Sequence, residues 1–391
     1  MDTAYLEEDL ELLKEKGLYR YLRVLESSPA PEALLDGKQV LLFSSNNYLG
    51  LSTHPKVIEA AKAALLRYGT GSGASRLISG NFSLYTTLEE KLARLKQTEA
   101  AVVFSSGYAA NLGAIQSLVG TADLIVIDKL NHACLIDGAR LSGARMRSYP
   151  HGDLAYLEKV LQSEATAGRR LIATDGVFSM DGDIVPLQEI LVVARRHNAS
   201  ILLDDAHATG VLGTRGGGTC EFLRIQDDAV IQMGTLSKAL GGLGGFICGS
   251  RTLIEYLVNH ARTLVYSTAL PPSVLAGAIA ALEVLETEPS LREALWKNVE
   301  ILRRGLSGIG YNLMKSSTHI LPILLGENEL AVRFSKGLLK EGLFIPAIRT
   351  PTVPKGTARL RLTVMATHTE AHLDKALQAF HKVGRQVGVI S

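Results

Sequence analysis

Apolar residues with approximately helical spacing run through residues 5–25, among them Leu6, Leu10, Leu13 and Leu22 with charges between, and predict an amphipathic N-terminal helix packed on the rest of the protein. A short apolar run at 40–43 predicts a strand, followed by the polar turn Ser44-Ser45-Asn46-Asn47-Tyr48-Leu49-Gly50. Helical patterns follow at 55–68 and 84–96, and buried-strand patterns begin at 100–104. From there strands at 124–127, 145–149, 170–174, 200–203 and 229–233 are interleaved with helices at 132–141, 154–161 and 187–197. This βαβα alternation implies a mainly parallel sheet covered by helices on both faces. Beyond residue 287, helices at 291–306, 331–340 and 370–383 and strands at 320–324, 343–346 and 359–363 predict a smaller α+β unit. The expected organisation is an N-terminal segment 1–45, a large domain 46–286 and a C-terminal domain 287–391.

Composition narrows the partners. The 391 residues are 47% hydrophobic and 20% charged, and 41 basic against 39 acidic residues leave a formal charge of +2. No electrostatic case exists for nucleic acid or an anionic membrane, so small molecules or protein are expected. Cys134, Cys220 and Cys248 are odd in number and widely spaced, which offers neither a disulfide framework nor a CxxC metal site. The beginning of the chain is acidic without an apolar core segment, and no apolar run reaches the about 18 residues that span a bilayer. A soluble cytoplasmic protein is expected.

The candidate chemistry lies where strands end, because ligands collect at the carboxyl edge of parallel sheets. Residues 234–245 carry five glycines around Lys238, with Thr235 and Ser237 beside it, so the lysine is either a solvated loop residue or an amine presented to a ligand. Ser105-Ser106-Gly107-Tyr108 turns from a strand into a helix, and the N–H groups there suit an anion or close an ordinary turn. The glycines of 69–73 follow a helix rather than a strand, against a dinucleotide-binding reading. Asp204 and His207 show no HExxH-type metal spacing and no GxSxG nucleophile elbow accompanies them. No metal is expected. What remains is an acid opposite a basic ring nitrogen, a histidine beside it, and a lysine able to form an imine.

Taken together, FSSGYAAN at 104–111, NHAC at 131–134, DGVFSMDGD at 175–183, DDAHATG at 204–210, GTLSKALGG at 234–242 and PTVPKGTARLRLT at 351–363 resemble the α-oxoamine synthases, and the resemblance spans nearly the whole chain. It implies the aspartate-aminotransferase-like fold (type I) and pyridoxal 5'-phosphate as cofactor. Lys238 is then the cofactor's covalent anchor and the base at the substrate Cα. Asp204 pairs with the pyridine nitrogen, His132 stacks on the ring, and His207 and Ser179 contact its phenolic side. Gly107, Tyr108 and Thr235 hold the phosphate, joined by Ser267 and Thr268 of a partner subunit, which implies a homodimer with shared sites.

For substrate, the resemblance implies that Arg361 with Asn46 binds the amino-acid carboxylate, and that Arg20, Arg349 and Thr352 lie along the acyl path, with His132 near the reacting atoms. Arg20 and Arg23 are expected three apart on one helix face. The acyl donor is a coenzyme A or acyl-carrier-protein thioester. The pattern around 347–363 leans towards the branch that joins L-alanine to a pimeloyl thioester in biotin synthesis. A glycine C-acetyltransferase-type reaction is the alternative within the family, and a non-catalytic cofactor carrier the alternative outside it. Two departures are Arg215-Gly216-Gly217-Gly218, where the family commonly has arginine between the last two glycines, and Leu236, where an aromatic is common.

Overall fold

The computed structural model describes residues 3–390, so Met1, Asp2 and Ser391 at the limits of the expected domains lie outside the described residues. Its centre is a seven-stranded sheet in the order Ala100–Phe104, Gly245–Gly249, Val230–Thr235, Ala199–Asp204, Arg170–Asp175, Leu124–Asp128, Arg145–Tyr149. Every neighbouring pair is parallel except those made by Gly245–Gly249, which runs antiparallel to both of its neighbours. The interior strands are near-continuous apolar runs, as burial on both faces requires, and Leu124, Ile125 and Val126 are fully buried. Their parallel direction brings Asp128, Asp175, Asp204 and Thr235, the last residues of four strands, to one edge. Asp175 is registered directly against Asp204.

A second, antiparallel sheet pairs Ala358–Thr363 with Ile320–Gly326 on one side and Ala347–Ile348 on the other. Tyr311, Phe334 and Phe380 stack beneath it with ring centroids 5.6 to 5.8 Å apart. A third small sheet joins the hairpin Glu32–Leu35 and Lys38–Leu42 to Leu343–Phe344, so the N-terminal strands pair with a strand from the C-terminal part. Phe43 and Thr363 extend this junction through the bond from the Thr363 N–H to the Phe43 carbonyl, 2.9 Å. The turn at 44–50 is thereby held against the strand that carries Arg361.

The main βαβα alternation is as expected from sequence, and Pro55–Tyr68, Ala100–Phe104 and Arg145–Tyr149 have the expected bounds. The N-terminal helix differs. It spans Ala4–Glu15, not 5–25, and none of its residues is buried. Gly17 takes φ 62°, and the N–H groups of Gly17 and Leu18 bond back to Lys14 and Leu13 carbonyls, a Schellman termination that only an αL-tolerant residue makes easily. The chain then runs extended to Leu25, which bridges Leu35. Arg20 and Arg23 therefore share no helix face, and Arg23 pairs with Asp36 at 2.7 Å. The strand Gly245–Gly249 and the helix Pro272–Thr287 have no counterpart in the sequence reading. The strand is five residues bracketed by glycines, and the helix is apolar nearly all round, so neither shows a clean period.

Candidate active site

Asp204 ends its strand 4% exposed. Its Oδ2 accepts from Asn111 Nδ2 at 2.6 Å and its Oδ1 from the Ala206 N–H at 3.0 Å. Among the described residues it has no cationic partner. Asn111 comes from the helix Gly107–Leu118 and also donates to Cys134 Sγ at 3.0 Å, which lies 2.9 Å from His132 Nδ1. Asn111 and Cys134 thus tie the carboxylate to the exposed His132 imidazole, which caps the helix Ala133–Ser142. The His132 N–H donates to Asp175 Oδ2 at 2.9 Å. Burial, then the charge of Asp204, raises the Asp175 carboxyl well above the usual carboxylate range.

Lys238 follows the strand Val230–Thr235 and makes no ion pair among the described residues. Burial lowers its pKa, while the charges of Asp204 and Asp175 work the other way. An amine with an eased path to its neutral form therefore faces the two carboxyls. Nearby, the helix start at Gly107 leaves the Gly107 and Tyr108 N–H groups without a backbone partner among the described residues, while Ser106 Oγ accepts from Ala109. Thr235 Oγ1 donates to the Gly244 carbonyl at 2.8 Å and lies 2.7 Å from Ser237 Oγ. A Cβ on Gly107 would meet Met233 at 3.0 Å and Thr235 at 3.5 Å, so the helix start and Thr235 line one narrow cradle. The Tyr108 hydroxyl is spent on Asp137.

A third cluster brings the 44–50 turn to the second sheet. Arg361 is 7% exposed, and its Nη1 and Nη2 donate to Asn46 Oδ1 at 3.3 and 3.4 Å. Its Nε donates to the Ser179 carbonyl, and Arg359 holds Asp181 Oδ1 at 2.8 Å, so both arginines fasten the 179–181 loop. Tyr48, fully buried, lies 2.7 Å from His207 Nδ1 and 3.0 Å from Asn46 Oδ1 through its hydroxyl. Burial, then the charges of Lys238 and Arg361, hold His207 well below the usual histidine pKa, so it is neutral.

The remaining expected residues lie apart. Arg349 Nη1 bonds the Gly17 carbonyl, which brings the extended segment containing Arg20 towards 347–352, and the exposed Thr352 donates its N–H to the Arg349 carbonyl at 2.9 Å. Ser267 and Thr268 lie beside Tyr266, which is 72% exposed, and no hydrogen bond joins them to the cradle among the described residues. Tyr48, Asn111, Cys134, Asp175 and His319 join the site without having been singled out by sequence. Three of them stood inside the quoted motifs, and Tyr48 stood in the polar turn.

The family model described as aminotransferase class I and II matches residues 38–380. The chain belongs to that family. Within it, the chain is 50% identical to the 8-amino-7-oxononanoate synthase of Trichlorobacter lovleyi over 392 aligned positions, covering 100% of each. Among solved structures, a serine palmitoyltransferase with pyridoxal phosphate (PLP) as its internal aldimine is 34% identical, with a TM-score of 0.93 over 99% of this chain and 98% of that one. The Francisella tularensis 8-amino-7-oxononanoate synthase is 30% identical, with a TM-score of 0.78 over 90% of this chain and 98% of that one. The expected type I fold with a mainly parallel core sheet is shared with these family members.

Proposed function

We propose that this chain is a PLP-dependent acyltransferase that condenses L-alanine with a pimeloyl thioester, giving 8-amino-7-oxononanoate, carbon dioxide and free thiol, a step of biotin synthesis. The observation that carries the reading is identity of 50% across the full length of both chains with the Trichlorobacter lovleyi enzyme of that activity. The residues present fit the cofactor: unpartnered N–H groups at a helix start for a phosphate, a lysine without an ion pair for an aldehyde, and a buried carboxylate without a cation for a ring nitrogen.

When bound, PLP supplies an electron sink that permits a carbanion at the amino acid's Cα. Lys238 would anchor it covalently and, as the free amine, moves the Cα proton. Asp204, oriented by Asn111, would hold the proton on the ring nitrogen. His132 would cover one ring face, and His207 and Ser179 would meet the phenolic side. Gly107, Tyr108 and Thr235 would hold the phosphate. Arg361 and Asn46 orient the substrate carboxylate, which leaves as carbon dioxide after the new bond forms. A pimeloyl chain ends in a carboxylate, so Arg20 or Arg349, which bonds the Gly17 carbonyl three residues before Arg20, supplies the cation at its far end.

In this reading residues 46–286 carry the cofactor, residues 287–391 supply Arg349, Thr352 and Arg361, and residues 1–45 supply Arg20. A homodimer is proposed as well. Leu22 is 100% exposed in the single chain and Ser267 and Thr268 meet no cradle of their own, which supports a second copy covering the former and receiving the latter. Sedimentation of the active protein as a monomer refutes it. Three free, buried cysteines support a reducing, cytoplasmic setting.

A competition assay tests the reaction, offering alanine, glycine and serine with pimeloyl, acetyl, succinyl and palmitoyl thioesters. Preference for alanine with the pimeloyl donor is expected. Preference for glycine with acetyl or for serine with palmitoyl moves the chain to another branch, and cofactor binding without thiol release from any pair makes it a carrier.

A further inference from the structure

The protons around the Tyr48 hydroxyl can be counted. Arg361 Nη1 and Nη2 both point N–H groups at the amide of Asn46, at 3.3 and 3.4 Å, so the atom facing them is the carbonyl Oδ1 and not the amide nitrogen. That oxygen has only lone pairs, yet it lies 3.0 Å from Tyr48 Oη, so the single phenolic proton points at Asn46. Arg361 Nη2 also donates to Tyr48 Oη, at 3.4 Å. Of the bond between Tyr48 Oη and His207 Nδ1, 2.7 Å, the proton must then come from the histidine. Were it the reverse, Tyr48 Oη and Asn46 Oδ1 would face each other lone pair to lone pair inside a buried site.

His319 pins the phenol ring. It is fully buried, and its ring meets the Tyr48 ring edge-on with centroids 4.0 Å apart. Burial, then the charges of Arg361 and Lys238, lower its pKa to about 3, and neither of its ring nitrogens has a partner among the described residues, so it enters no hydrogen bond of the cluster. His207 is neutral for the same reasons and carries one N–H.

We propose that Tyr48 is a positioning residue that holds His207 as the Nδ1–H tautomer, leaving Nε2 as a hydrogen-bond acceptor. The ring's one hydrogen bond among the described residues is the one at Nδ1, so Nε2 is open to a ligand. A group bound over Lys238 must therefore bring its own proton to His207, and His207 donates none. Asn46 controls this at one remove, because it fixes the phenolic proton. The inference rests on the proposed function only for its kinetic readout.

The test uses the full chain labelled with [15N]histidine, as purified, with imidazole 15N resonances recorded and His207 assigned by His207→Gln. A protonated, pyrrole-type Nδ1 and a bare, pyridine-type Nε2 are expected. Tyr48→Phe removes the acceptor of the Nδ1 proton, and Asn46→Leu frees the phenolic proton to turn to Nδ1. Both should move His207 towards the Nε2–H form, whereas Asn46→Asp keeps an acceptor and should retain Nδ1–H. Tyr48→Phe should also lower kcat by about tenfold while the KM for the acyl thioester stays within about twofold. An Nε2–H form in the unaltered chain, or a His207 pattern indifferent to either Tyr48→Phe or Asn46→Leu, overturns the proposal. Absence of condensing activity with every substrate pair overturns the proposed function and leaves the tautomer assignment standing.

Discussion

The side-chain amide of Asn111 donates to Oδ2 of Asp204 at 2.6 Å, in a region closed to solvent. A hydrogen bond to a buried carboxylate contributes about 1.5 to 3 kcal/mol, and this one also sets which way the carboxylate faces. Asn111→Leu is expected to weaken PLP binding by about tenfold to a hundredfold, measured by fluorescence titration of the cofactor-free chain. Unchanged affinity counts against Asp204 as the ring partner.

His151 joins two carboxylates, with Nδ1 3.0 Å from Asp128 and Nε2 2.8 Å from Asp183. Burial opposes its charge, but the hydrogen bonds it donates to Asp128 and Asp183 prevail and raise its pKa to about 10 from 6.5. A raised folded-state pKa contributes stability that is complete below the unfolded value and fades as pH climbs through the folded one. The difference in unfolding free energy between the unaltered chain and His151→Ala should be largest at or below pH about 6.5 and shrink steadily to pH about 10. Denaturant melts across that range check it, and a gap that widens with pH refutes the clamp.

Much of this was legible in the sequence, because the parallel strands declare themselves as apolar runs and carry their chemistry at their ends. Asp204, His207 and Lys238 could be placed at one edge by strand counting alone. The Schellman stop at Lys16-Gly17 was also written in the chain, but the leucine spacing beyond it masked it. Tyr48 was harder: an aromatic in a polar turn reads as turn packing until the bonds from Thr363 and Ala366 to Phe43, Ser45 and Tyr48 bring that turn to the strand of Arg361. Asn111 and Cys134 look like helix interior until the strand bearing Asp204 is laid against them.

Lys238→Ala should abolish turnover and the visible absorption of the holoenzyme while leaving weaker, noncovalent cofactor binding through Asp204 and the helix start at Gly107. Borohydride treatment followed by peptide mass mapping gives the direct measurement. The pyridoxyl mass is expected on the Lys238 peptide of the unaltered chain, and its appearance on another lysine refutes the assignment.

Arg349 donates to the Gly17 carbonyl and has no carboxylate partner among the described residues. If it serves the far end of the acyl chain, Arg349→Ala should raise the KM for pimeloyl thioester by about tenfold or more and leave that for heptanoyl thioester, which lacks the terminal carboxylate, nearly unchanged. Equal losses with both donors assign Arg349 to holding the N-terminal segment, and the same comparison on Arg20→Ala then decides that residue's part.

The antiparallel strand Gly245–Gly249 has a consequence for how tightly the site can measure an anion. A methyl group on Gly245 would fall 2.5 Å from Gly107 Cα and 2.5 Å from the Ser106 carbonyl, so the helix start leans directly on a neighbour that has no side chain. The gap between the Gly107 N–H and Thr235 is in effect gauged by a single missing carbon. One added carbon at position 245 would push the helix start away and blunt the proposed recognition of a phosphate there, while the atoms it meets first belong to Gly107 and Ser106. If the Gly107–Thr235 cradle holds the cofactor's phosphate as proposed, discrimination between phosphorylated and unphosphorylated pyridoxal is set separately from the chemistry, by a residue that meets neither.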